Sequence, residues 1–125
     1  MRYLGKGANV IALKRAYEKP SPDDGQRILV ERLWPRGLTK AKAKIDLWLK
    51  NIAPSTTLRQ WFAHDPAKWP EFQKRYRKEL LAEKEAVASL KQKARQGKVT
   101  LIYAAKDEQH NSALVLKKFL ERPTR

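Results

Sequence analysis

The chain has 125 residues, 42% hydrophobic and 33% charged, with 28 Lys or Arg against 13 Asp or Glu and a formal net charge of +15. That length suits one domain burying about two thirds of its unfolded surface, and the apolar content excludes a disordered chain. The absence of cysteine excludes a disulfide framework, a thiolate nucleophile and any Cys-bearing zinc site.

No apolar run approaches the ~18 residues of a membrane span, and no signal-peptide core opens the chain. A cytoplasmic protein without a membrane partner is expected. The cationic surplus attracts phosphates, nucleic acid and acidic surfaces, although many such lysines only solvate helix faces.

Residues 1–8, MRYLGKGA, read as a flexible leader, and residues 9–125 as a single α/β domain. Val10, Ile11 and Leu13 mark a first strand over about 10–17. The connector EKPSPDDGQ comes next, with Ser21 suited to cap a single helical turn and Pro22 to its first position. Its length is short for a parallel crossover, which normally takes a dozen or more residues, so length alone favours a hairpin.

A second strand is expected over 27–33, where Ile28, Leu29, Val30 and Leu33 run into Trp34-Pro35. Glu31, Arg32 and Arg36 sit inside or against this apolar run, where charge is costly unless paired. Thr39 is placed to cap a helix over Lys40–Asn51, with Ile45, Trp48, Leu49 and Ile52 on one face. Pro54-Ser55 breaks it. A short helix over Thr57–Ala63 turns Leu58, Trp61 and Phe62 inward, and Asp65 is set to cap the next element.

The longest helix is expected at Trp69–Ala82, with the stripe Trp69, Phe72, Tyr76 and Leu80 opposite the cations Lys74, Arg75, Arg77 and Lys78. A helix over Lys84–Gln96 ends at Gly97. The run KVTLIYAA predicts a strand over 98–105 covered on both faces. Lys106-Asp107-Glu108 opens a last helix, with Ala113, Leu114, Leu116 and Leu120 inward and Pro123 closing the chain. Helices separate the second and third strands, which predicts parallel pairing through a right-handed crossover. The expected architecture is α/β: a small, mostly parallel three-stranded sheet flanked by about five helices.

Open parallel sheets bind ligands beyond the carboxyl ends of their strands. Two segments fall there, Arg32–Gly37 and Lys106–Asn111. Arg32 and Arg36 suit a bidentate clamp on phosphate or carboxylate, or equally a pairing of Arg32 with Glu31, Asp46 or Asp107. Trp34 suits stacking on a base or simple packing. Lys106 adds charge where a helix N-terminus favours anions. Asp107 and His110, three residues apart, form a candidate proton-transfer pair, although Asp107 also suits a helix cap. His64-Asp65 is a second acid/base-like pair with a competing role as a boundary cap. Phosphate-loop, dinucleotide, nucleophile-elbow and HExxH motifs are absent, so no cofactor or metal is expected.

The segments RILVERLWPRG, IDLWLKNIAPSTTLRQWFAHDP, FQKRYRKEL and VTLIYAAKDEQHNSALVLKKFL resemble the YeaO-like branch of the domain-of-unknown-function family 488 over residues 10 to 120. The resemblance implies a small α/β protein of bacteria or archaea with no established activity. The family pattern carries a second histidine in its last motif, where this chain has Ser112. Relatives place a helix between the first two strands, which turns the expectation there from a hairpin to parallel pairing.

The functional expectation is a pocket for phosphates or nucleotides, with hydrolase-like or nucleotide-processing chemistry open to it. Arg32, Arg36 and Lys106 would hold the anion, with Trp34 beside it. Asp107 and His110 would move protons, and Asn111 would orient the substrate. The alternative is a non-catalytic nucleic-acid-binding module using Lys74, Arg75, Arg77 and Lys78.

Overall fold

Apolar alternation along short strands sets the sheet. The computed structural model describes residues 11–122, so the leader expected at 1–8, Val10 and Pro123 lie outside the described residues. Strands β1 (Ile11–Arg15), β2 (Gln26–Leu29), β3 (Leu47–Trp48) and β4 (Val99–Tyr103) form one sheet in the order β1-β4-β2-β3, with every pairing parallel. The sheet thus has four strands rather than three.

The hairpin suggested by connector length does not form. Both β1 and β2 pair with β4, Ile11 lying opposite Val99 and Ile28 opposite Leu101. The connector must cross two strand spacings, ~10 Å, and return along a strand of ~17 Å. About ten residues reach ~33 Å when extended, which suffices. Ser21 caps a 3-10 turn at Pro22–Asp24 through a reciprocal capping box with Asp24. Gly25 then passes the end of β4 at φ +64°, so close that a Cβ would lie 2.3 Å from the carbonyl oxygen of Lys98. Only glycine fits there.

The helix expected over Lys40–Asn51 is replaced by a single turn, α1 (Lys40–Ala43), and by β3. Lys44 enters the left-handed region at φ +48° and ends α1. Asp46 then exchanges hydrogen bonds with Arg27, its N–H donating to the Arg27 carbonyl and its carboxylate accepting the Arg27 N–H, both at 2.8 Å. The Leu49 N–H extends the ladder to the Leu29 carbonyl. The apolar spacing of Ile45 and Trp48, read as a helix face, instead serves the sheet, where both pack with Ala16, Leu29 and Ile102.

The remaining helices are α2 (Thr56–Phe62), α3 (Trp69–Ala82), α4 (Lys84–Gln96) and α5 (Ser112–Glu121). Their apolar stripes join Ile28, Val30, Val99, Leu101 and Tyr103 in the main core. Phe72, Tyr76 and Leu80 are buried as the helical spacing requires, and every residue of β4 is buried. In α5 the buried set is Ala113, Val115, Leu116, Phe119 and Leu120, with Leu114 only half-buried. Leu33, expected in a strand, is instead 65% exposed, because β2 stops at Leu29. No helix among the described residues is long and apolar enough to cross a membrane.

The loop-covered face of the sheet holds a buried ionic cluster. Asp24 takes Lys14 Nζ at 2.8 Å and the Arg27 guanidinium at 2.6 Å. Arg27 also donates to the Ala43 carbonyl at 2.8 Å, which ties the connector, β2 and α1 together. Burial pushes the Asp24 carboxyl up, but hydrogen bonds from Lys14, Ser21 N–H and Arg27 outweigh it and hold the group at about 2. The folded value lies below the ordinary 3.8. This carboxylate's stabilisation, about 2 kcal/mol, is therefore complete above pH ~4 and is lost as pH falls towards 2. Asp24→Asn should remove that acid limb from denaturant-unfolding curves. It should also cost about 3–5 kcal/mol at neutral pH, because Arg27 is left buried without its carboxylate.

Candidate functional site

Beyond Arg15, Leu29 and Tyr103 the segments that follow β1, β2 and β4 leave the ladder at one end of the sheet, where side chains brace them. The Glu31 carboxylate accepts the Ala104 N–H through Oε2 at 2.9 Å. Trp48 Nε1–H donates to the Glu31 carbonyl at 2.6 Å. Arg15 donates to the Ala105 carbonyl at 2.8 Å, and Tyr17 Oη–H donates to the Arg36 carbonyl at 2.9 Å. The Pro35–Leu38 turn closes with a Leu38 N–H to Pro35 carbonyl bond at 3.3 Å, and Gly37 supplies its φ of +77°.

Helix α2 is brought to the same end by a pinned loop. Arg32 Nε donates to the Pro54 carbonyl at 2.7 Å, and Tyr76 Oη–H donates to the Ile52 carbonyl at 2.7 Å. Ser55 caps α2 while its own N–H and hydroxyl donate to Glu79. The helix ends in two successive left-handed residues, Ala63 at φ +48° and His64 at φ +57°. Such residues cost about 1–2 kcal/mol each, and the reversal puts His64 on the wall of a cleft.

This cleft has a volume of about 670 Å³. Leu33, Trp34, Pro35, Phe62 and Phe72 give it apolar walls, and Arg36, Arg59, Gln60, His64 and His110 supply polar and cationic groups. Glu31 is the one carboxylate among the described lining residues. Burial pushes the Glu31 carboxyl up from its ordinary range, while the Ala104 N–H and the charges of Arg59 and His64 pull the other way. Asp107 is held below the usual range by hydrogen bonds, first from Gln109 N–H and then from His110. Its Oδ2 lies 2.8 Å from His110 Nδ1, and the His110 ring stands edge-on to Trp69 at 5.3 Å. With Nδ1 committed to Asp107, Nε2 is the ring nitrogen left for a guest.

The structure brings part of the expected set together. Trp34, Arg36, His110 and Asn111 line the cleft, and Asp107 holds His110. Trp34 also donates its Nε1–H to the Leu38 carbonyl and packs edge-on against Trp48 at 5.5 Å. Arg32 is not among the lining residues, since the Ala53 and Pro54 carbonyls take its guanidinium. Lys106 is exposed and does not line the cleft. The last helix begins at Ser112 rather than near Lys106. Asn111, 3% exposed, is its cap, accepting Leu114 N–H and donating to the Asp107 carbonyl. Those bonds occupy the amide that was expected to orient a substrate.

On α3, Arg75 is engaged by Glu71 at 3.0 Å and lies over the Trp61 ring at 4.2 Å, whereas Lys74 and Lys78 are exposed and Arg77 is half-buried. Asp65 caps the turn Pro66–Lys68, which separates it from the role of its neighbour His64. Arg59 and Gln60 line the cleft without any sequence signal, whereas His64 was read only as an acid/base-like pair with Asp65 and Glu31 only as a charge needing a partner. For Glu31 the signal was a carboxylate inside an apolar run, which needed a partner and found it in a backbone N–H. Among the described residues no three His, Asp or Glu side chains converge as a metal site requires.

A family model described as the inactive DUF488-N3 subclade, DUF488-N3i, matches residues 10–125. The uncharacterized protein YeaO of Escherichia coli is 40% identical over 110 residues, covering 88% of this chain and 96% of that protein. Uncharacterized proteins of Mycobacterium tuberculosis and Mycobacterium bovis are each 38% identical over 110 residues, covering 88% of this chain and 92% of theirs. No solved structure matches the chain.

The raised Glu31 carboxyl has a consequence for stability. A folded value above the unfolded one gives stabilisation that is complete below the ordinary 4.5 and declines as pH rises through the raised value. Glu31→Gln keeps an oxygen for Ala104 N–H and removes the buried charge. Its melting temperature should therefore gain on that of the parent as pH rises above 4.5, measured by differential scanning calorimetry. A constant difference across that range would contradict the assignment.

Proposed function

The chain belongs to the inactive DUF488-N3 subclade, in its YeaO-like branch, and we propose that it is a cytoplasmic binding protein for phosphate-bearing small molecules of the nucleotide class. The observation that carries this reading is one cleft, beyond the carboxyl ends of β1, β2 and β4, in which Arg36, Arg59, His64 and His110 meet a single carboxylate. Guanidinium groups suit phosphate by their forked geometry, and the Trp34–Pro35 wall suits a flat or apolar remainder. The family's description as inactive, together with Ser112 where the resemblance expects a second histidine, supports binding without turnover. In that reading Asp107 orients the His110 ring towards the ligand's phosphate rather than driving proton transfer.

The test is calorimetric titration of the whole protein with adenosine 5′-monophosphate, alongside Arg36→Ala and Arg59→Ala. Each substitution removes a charge-assisted hydrogen bond of about 1.5–3 kcal/mol, so affinity should fall roughly 10- to 100-fold. Unchanged affinity in both variants would overturn the cleft reading.

A second reading, nucleic-acid binding along α3, is favoured by the exposure of Lys74 and Lys78 on a chain of net charge +15. Reversing both charges, Lys74→Glu with Lys78→Glu, should lower the slope of log affinity for duplex DNA against log salt by about 2, leaving the cleft titration unchanged. An unaltered slope would remove that reading.

A further inference from the structure

The brace at the cleft leaves one polar atom over. Glu31 gives Oε2 to the Ala104 N–H and its carbonyl to Trp48. Its Oε1 has no hydrogen-bond donor among the described residues, and the half-buried side chain lines the cleft. Arg59 and His64 act on it through space without forming an ion pair. A carboxylate oxygen that the protein leaves without a donor on the wall of a cleft can take one from a guest.

Charge sharpens the requirement. An anion held by Arg36 and Arg59 lies in a cleft that also contains Glu31, so a bare phosphate meets repulsion as well as attraction. A phosphate ester that places a neutral O–H or N–H against Oε1 turns the same carboxylate into a favourable contact. Sites built to hydrogen-bond such a group reject analogues lacking it far more strongly than apolar pockets reject a missing methylene.

We propose that Glu31 is the specificity-determining residue of the cleft, accepting through Oε1 a hydrogen bond from an uncharged donor on a phosphate monoester. This rests on the phosphate-binding reading above. A nucleoside monophosphate offers the donor from either of two places, a ribose hydroxyl or the edge of the base, and the apolar wall at Trp34 and Pro35 accommodates its flat end.

The experiment titrates the whole protein, and its Glu31→Gln variant, with methyl phosphate, adenosine 5′-monophosphate and 2′,3′-dideoxyadenosine 5′-monophosphate. In Glu31→Gln the amide oxygen keeps the Ala104 brace, while an NH₂ replaces the accepting oxygen. Affinity for adenosine monophosphate should fall about tenfold, and affinity for methyl phosphate should hold or rise as the negative charge disappears. A penalty that vanishes with the dideoxy ligand assigns the donor to the ribose, and one that persists assigns it to the base. Glu31→Asp, which keeps the charge but withdraws the oxygen, should show the same selective loss and guards against a folding defect in the first variant. Equal or tighter binding of adenosine monophosphate by both variants would overturn the assignment of Glu31 alone. Absence of methyl phosphate binding by the parent protein would overturn the cleft reading beneath it.

Discussion

One hydrogen bond, from the Ala104 N–H to the Glu31 carboxylate, braces the end of the molecule where the cleft lies. It joins the exit of β2 to the exit of β4 after their ladder has stopped. Around it Trp48 fixes the Glu31 carbonyl, and Arg15 fixes the carbonyls of Ala104 and Ala105. The loops that line the cleft therefore hang from side-chain bonds rather than from sheet pairing. The oxygen that accepts this N–H belongs to a carboxylate, and its burial raises the group above its ordinary range.

The loop-covered face of the sheet is fixed differently. There Asp24 gathers Lys14 and Arg27, and the Thr100 hydroxyl donates to the Asp24 carbonyl at 2.6 Å. These bonds hold the connector across β4 and make an all-parallel sheet possible with so short a crossover. The two ionic residues therefore have contrasting roles. Asp24 is saturated with donors and works as a structural pin, whereas Glu31 keeps one oxygen free beside open volume.

Much of this was legible in the letters. The helices over 69–82 and 84–96, the short helix before His64, the Ser21 cap and the buried strand near 98–105 follow from apolar period and cap chemistry, and the structure has them within a residue or two. Besides the second strand, which stops short at Leu29, two segments were misread for physical reasons. Ile45 and Trp48 satisfy both a helical and a sheet spacing, and only the long-range pairing of Asp46 with Arg27 decides between them. Asp107 and Asn111 are both good caps, and the start of α5 depends on which one reaches the first turn. The cleft was half legible. Its location followed from parallel topology, and Trp34, Arg36 and His110, expected at that end, line it. Arg32 looked like a ligand clamp because carbonyl acceptors brought near by the fold, those of Ala53 and Pro54, carry no signature in sequence. Arg59 reaches the cleft from α2 and His64 from the left-handed reversal after it, and no local pattern announces either.

The family's relatives are uncharacterized, so the chemistry of the cleft carries the functional account. Its central claim is that phosphate binds where Arg36 and Arg59 converge, at the carboxyl ends of the strands. The most direct measurement is a phosphate titration followed by amide chemical shifts in two-dimensional NMR. The account predicts saturable shifts confined to Glu31–Gly37, Arg59–His64 and Ala104–Ser112. Shifts centred on the exposed face of α3 around Lys74 and Lys78, or spread evenly over the surface lysines, would contradict it.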